Sequence, residues 1–111
     1  MIYKWEAEKE MPETKWSGCL TIKMPTYLER AELLKSFKVK MGADGTVEMG
    51  TDPTDAMKAQ GELFAKHVTE GNLAFDGQEI KKEDLGYYEE GTEVIGAVCN
   101  RIMQGVSLSK N

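Results

Sequence analysis

Leu73-Ala74-Phe75-Asp76-Gly77-Gln78-Glu79-Ile80 is the stretch that decides the fold class. Asp-Gly is favoured in a two-residue hairpin turn, because both central positions take positive φ and these residues accept it. Apolar and polar side chains alternate on either side at the strand period. In that register Leu73 stands opposite Ile80, and Phe75 opposite Gln78. A hairpin over 73–80 puts antiparallel sheet into a chain that otherwise reads largely as helix. The class is α+β.

Downstream of the hairpin, Lys82-Glu83-Asp84-Leu85 reads as one helical turn before a Gly86-Tyr87-Tyr88 loop. A helix over 92–105 follows, with Thr92 as its expected cap. Its apolar stripe runs through Val94, Ile95, Val98, Cys99, Ile102, Met103 and Val106. Gly96 costs such a helix about 1 kcal/mol relative to Ala, which a close helix crossing at that point would explain. Gly105 is the expected C-cap. The tail 106–111 alternates, as a short strand or a frayed end would.

Upstream, Asp52-Pro53-Thr54-Asp55 is a helix start. Asp52 can cap, Pro53 suits the first helical position, and Asp55 sits near the positive end of the dipole. The predicted helix covers 53–70, with Met57, Gly61, Phe64 and Val68 at helical spacing and Gly71-Asn72 as its end. Earlier still, Leu20, Ile22 and Met24 alternate with Thr21 and Lys23, giving a strand over 19–24 closed by Pro25. Thr26 and Glu29 have the capping-box spacing, and Tyr27, Ala31, Leu34, Phe37 and Met41 extend a helix over 26–41. Gly42 stops it. Ala43-Asp44-Gly45 is a turn, and Thr46 to Met49 is too short to assign. Residues 1–15 form an N-terminal arm or an edge segment, with Met11-Pro12-Glu13-Thr14 as a turn. The indoles of Trp5 and Trp16 favour at least partial docking. Residues 16–111 make a single globular domain with three main helices.

The chain has 111 residues, enough for one domain with a modest core. Its 14 basic and 19 acidic residues leave a net charge of -5, which repels a phosphate backbone. Lys35, Lys38 and Lys40, with Lys23 and Arg30 upstream, have no interleaved aromatics and read as a solvated helix face. Nucleic-acid binding is not expected. No run reaches the ~18 apolar residues of a membrane helix, and Met1 to Glu6 has no signal-peptide character. The expected location is the cytoplasm. Cys19 and Cys99 lack a CxxC or a neighbouring His, so they read as free thiols more naturally than as a long-range bridge.

Little in the sequence points to catalysis. His67 is the sole histidine, placed one turn after Leu63 as a boundary residue of a packed face. Neither Cys has an activating neighbour. Asp44-Gly45 and Asp76-Gly77 lack the ligand pattern of a calcium loop, and Glu83-Asp84 and Glu89-Glu90 are solvated acidic pairs. No enzyme activity, cofactor or metal is expected. Seven Met residues supply adaptable apolar volume, either as core filler or as a face that repacks against a partner. Met57, Phe64, Val94, Val98, Ile102 and Met103 are the candidate partner-binding residues, and each also suits a core position.

Trp16-Ser17-Gly18-Cys19-Leu20-Thr21-Ile22 leads into the capped helix, then come the Asp55-Ala56 helix start and the apolar helix from Val94 to Gly105. This order resembles the tail assembly chaperones of long-tailed bacteriophages over residues 16–106. The similarity lies in element order, helix starts and length, without an invariant signature. It implies a protein that coats the tape measure protein before the tail tube forms around it, with the major tail protein as a further partner and self-association into oligomers. Members of that family are often made in two lengths by a ribosomal frameshift. Two other classes fit the same residues. One is a structural virion component, such as a small tail or connector subunit. The other is a small ligand-binding protein or enzyme without a local motif.

Overall fold

A computed structural model describes residues 1–36, 39–41, 47–49 and 53–108. Strand β1 (Ile2–Glu6) and the single-turn helix α1 (Ala7–Glu10) precede β2 (Trp16–Lys23) and α2 (Tyr27–Ser36). The short strands β3 (Val39–Met41) and β4 (Val47–Met49) pair with each other. Helix α3 (Pro53–His67) then runs directly into β5 (Val68–Phe75) and β6 (Gln78–Lys81). A 3-10 helix (Lys82–Tyr87) and the long α4 (Glu89–Gln104) complete the order. Four strands form one antiparallel sheet in the order β1-β2-β5-β6. The fold is α+β, with five helical segments among the described residues where the sequence leads to an expectation of three.

The hairpin has the expected register, Leu73 opposite Ile80 and Phe75 opposite Gln78. Asp76 (φ 51°) and Gly77 (φ 84°) both take the left-handed conformation that the turn requires. The strand entering it is much longer than expected. Helix α3 stops at His67, and Val68 opens a strand that pairs with β2 along its length. Gly71 is therefore no helix terminator. It has φ +137°, and a Cβ there would run into the carbonyl oxygen of Cys19 on β2. Gly18 repeats the arrangement from the other side, where a Cβ would meet the carbonyl oxygen of Asn72. The two central strands approach too closely at these points for any side chain. A bulge between Thr21 and Ile22 restores the inward direction of Val68, which packs opposite Ile22.

Strand β2 begins at Trp16, three residues before the expected 19–24 segment, and Trp16 stacks obliquely on Phe75 across the ladder at 5.0 Å between ring centroids. On its other side β1 pairs residue for residue, Trp5 opposite Leu20. Trp5 is completely buried, so residues 2–6 belong to the sheet and to the core.

One face of the sheet presents Trp5, Leu20, Ile22, Leu73 and Ile80, and these merge with Leu63 and Phe64 of α3 and Val94, Val98 and Ile102 of α4 in one core. The row Glu6–Cys19–Asn72–Lys81 lies on the other face, by the alternation of side chains along the strands.

Three helix boundaries differ from the sequence reading. Helix α2 ends at Ser36, not 41, and residues 39–41 are strand β3. Phe37, Gly42, the Ala43-Asp44-Gly45 turn and the Asp52 cap lie outside the described residues. The inward contact of α2 is made by Arg30 and Leu33 instead of the Tyr27–Ala31 stripe. The capping box is present as read. The backbone N–H of Thr26 donates to Glu29 Oε1 at 3.0 Å, and that of Glu29 donates to Thr26 Oγ1 at 3.2 Å. Helix α4 starts at Glu89, so Thr92 is inside the first turn, where its hydroxyl donates back to Glu89 O, and Tyr88 holds the cap position. Gly105 is the C-cap as expected. No crossing meets Gly96, whose surroundings are open; the close approach is at Gly91, against the Leu85 carbonyl of the 3-10 helix.

Candidate functional site

The six residues singled out for partner binding have different fates. Val94, Val98 and Ile102 are fully buried, and Phe64 is 6% exposed, so all four face the sheet and none is offered to a partner. Met103 is half-buried against the same core. Met57 alone stands out in solvent, because the inward face of α3 runs through Ala56, Ala59, Leu63 and His67 instead. A sequence stripe marks the buried side of a helix, and in a small domain the core claims it.

The apolar surface left over is elsewhere. Tyr27 and Leu28 open α2 with side chains 78% and 74% exposed. Met1, just before β1, and Ile2, its first residue, are 73% and 62% exposed. The chain brings these two pairs to one corner of the molecule. The Met24 N–H donates to the Met1 carbonyl at 2.8 Å, Ile2 sits opposite Lys23, and only Pro25 and Thr26 separate Met24 from Tyr27. Met1, Ile2, Tyr27 and Leu28 thus stand exposed on the segments that flank the end of β2. Sequence reasoning misses this corner. It places Tyr27 on a buried stripe and leaves Ile2 in a segment without a decided structure. An anchored N-terminal strand is the missing signal.

Side-chain contacts tie these segments to the rest of the fold. Tyr3, next to Ile2, donates its hydroxyl to Glu10 Oε1 at 2.5 Å, and Arg101 of α4 donates to Glu10 Oε2 at 2.8 Å. The Arg101 guanidinium also lies 5.8 Å from the Tyr3 ring centroid. Burial and the adjacent Glu10 carboxylate push the Tyr3 phenol above its usual range. On the α2 side, Arg30 donates to the Met103 carbonyl at 3.4 Å, which ties the helix to the C-terminal end of α4.

His67 occupies the joint between α3 and β5. Its Nδ1–H donates to the Lys23 carbonyl at 2.8 Å, and its ring is 6% exposed with Nε2 reaching no partner. An open depression of about 260 Å³ beside it is lined by Glu29, Glu32, Leu33 and Lys66. Glu29 is engaged in the capping box, and hydrogen bonds from Thr26 hold its carboxyl below the usual range. Both thiols are free. Cys99 is buried, donates to Gln60 O at 3.3 Å, and has its pKa pushed up to about 12 by desolvation. Such a thiol stays protonated at neutral pH. Among the described residues no group of three His, Cys, Asp or Glu is placed to hold a metal ion, and no helix is long and apolar enough to cross a membrane.

No family model matches the chain, and neither a curated protein nor a solved structure matches it.

Proposed function

We propose that the protein acts by binding another polypeptide through the corner formed by Met1, Ile2, Tyr27 and Leu28, as an assembly chaperone of the phage-tail type. The observation that carries this reading is the exposure of those four side chains on segments that flank the end of β2. Desolvating them against an apolar stripe of a partner gains free energy at about 25 cal/mol per Å² of apolar surface, and a pre-formed corner loses little entropy on docking. A tape measure protein fits as partner because it is a long helical chain whose apolar stripes are uncovered until the tail tube encloses them. Repetition of the stripe lets a weak contact act many times along one chain. The acidic net charge of -5 keeps the coat from collapsing on itself.

Co-expression with a tape measure fragment tests the reading. The complex survives native purification with the wild-type chain and is lost with Leu28→Glu. Mass spectrometry of finished particles separates this role from that of a structural tail subunit, since a chaperone is absent from them. A chain that turns over a small molecule, and stops doing so in His67→Gln, would overturn the reading in favour of an enzyme.

A further inference from the structure

We infer that the outer edge of β1 takes an extended, acidic segment of another polypeptide, which adds an antiparallel strand to the four-stranded sheet. Ile2 belongs both to this edge and to the apolar corner. The edge is recognised through backbone groups, so the two readings stand or fall separately.

Hydrogen-bond parity fixes which groups are on offer. The Met24 N–H donates to the Met1 carbonyl at 2.8 Å, which makes Met1 and Met24 a hydrogen-bonded pair. Antiparallel ladders alternate, so Tyr3–Ile22 and Trp5–Leu20 are the next such pairs. Ile2 and Lys4 fall between them, with their N–H and C=O groups turned away from β2. Two contacts of β2 agree. The Lys23 carbonyl, opposite Ile2, points away from β1 and accepts from His67 at 2.8 Å. The Gly18 N–H points to the β1 side and donates to Glu8 Oε1 at 2.8 Å, where β1 has given way to α1. Strand β1 ends the strand order, and among the described residues no hydrogen bond reaches the outward groups of Ile2 or Lys4. Both residues are exposed. The open edge stops there, because Glu6 is the N-cap of α1 and its carbonyl serves the first helical bond.

Charge then selects the occupant. Glu6 holds Lys9 at 2.9 Å and Lys4 only at 3.6 Å, so the Lys4 ammonium can turn to a carboxylate on an added strand. Opposite charges facing each other across strands are favourable, and Ile2, two residues along the same face, suits an apolar neighbour. The added strand therefore carries an acidic residue opposite Lys4 and an apolar one opposite Ile2. A lysine on an edge ordinarily guards it against stray pairing. Here it admits acidic strands and turns basic ones away. A second copy of β1 meets these terms poorly. Lys4 opposite Lys4 is repulsive, and Lys4 opposite Glu6 needs the carbonyl that α1 holds. Ile2 opposite Lys4 brings no carboxylate to either lysine. In strand addition the main-chain bonds supply affinity, and alternate side chains supply the choice of partner.

The test uses the full chain and a blocked, fluorescent heptapeptide with Glu and Val two positions apart and Thr elsewhere. In the free chain the Lys4 amide exchanges with solvent fast and those of Tyr3 and Trp5 slowly; the peptide slows Lys4. Lys4→Pro removes the outward N–H and no bond to β2, and an edge strand tolerates such a proline. It weakens peptide binding by about tenfold or more. Lys4→Glu reverses the preference, taking a peptide with Lys in place of Glu about tenfold more tightly than the original. N-methylation of the peptide at Glu and Val abolishes binding, and at the residue between them it does not. Leu28→Glu binds the peptide as the wild type does, which separates this edge from the proposed tape measure contact. Unchanged circular dichroism certifies the fold of each variant. A wild type that ignores the peptide, a Lys4→Pro chain that binds it equally well, or a Lys4 amide already protected in the free chain overturns the inference. Protection that grows with protein concentration alone assigns the edge to a second copy and overturns it too.

Discussion

Arg101 of α4 donates to Glu10 of α1 at 2.8 Å across 91 positions of sequence, and the other oxygen of that carboxylate accepts the Tyr3 hydroxyl. The N-terminal segment is thereby fastened to the last helix as well as to β2. This contact makes Met1 and Ile2 part of a fixed surface, and the proposed function depends on it.

Replacing Glu10 by Ala leaves the Arg101 guanidinium and the Tyr3 hydroxyl without their acceptor. Both groups are only partly buried and water can reach them in part, so the loss is about 1–2 kcal/mol. Tyr3→Phe removes one neutral donor and costs about 1 kcal/mol. Urea unfolding of the two variants measures both, and the midpoint of Glu10→Ala lies below that of Tyr3→Phe.

Two glycines on α4 give opposite outcomes. A Cβ at Gly91 runs into the Leu85 carbonyl, which belongs to backbone and cannot swing aside. Gly91→Ala therefore destabilises the protein by about 1–3 kcal/mol. Gly96 has open surroundings, and Gly96→Ala stabilises the helix by about 0.5–1 kcal/mol. Thermal unfolding of the pair separates a packing glycine from an incidental one.

The two thiols differ in reactivity. Cys99 combines burial with a pKa pushed up to about 12, while Cys19 on β2 is partly accessible. A thiol-specific disulfide reagent at mildly alkaline pH modifies one cysteine in the native protein, and peptide mapping finds it at Cys19. The second reacts only in denaturant.

The capping box makes α2 sensitive to acid. Hydrogen bonds from Thr26 depress the Glu29 pKa in the folded state. Stability from that source is complete above the ordinary carboxylate range and is lost as the pH falls through the lowered value. Glu29→Gln retains an acceptor but cannot titrate, so its stability falls less steeply with acid than that of the wild type. Parallel pH titrations of unfolding show the difference in slope.

Local chemistry explains which elements are readable beforehand. The Asp76-Gly77 turn, the Thr26–Glu29 capping box, Pro53 at the start of α3 and Gly105 at the end of α4 each rest on contacts within a few residues, and all are present. The misread positions depend on distant partners. Val68 is buried whether it ends a helix or begins a strand, so periodicity passes through the α3–β5 joint unnoticed. Gly71 resembles a helix stop until Cys19 is placed opposite it. Strand β1 carries one fully buried side chain, Trp5, among charged neighbours, and only β2 beside it makes it a strand. The apolar stripes of α3 and α4 are legible as stripes. Their use as core instead of interface follows from the sheet they cover.

Retention of a tape measure fragment by the purified chain, compared between wild type, Leu28→Glu and Met57→Glu, tests the central claim most directly. The account predicts that Leu28→Glu abolishes retention and Met57→Glu, exposed on α3 away from the corner-forming segments, leaves it intact. Equal retention by all three folded chains would contradict it.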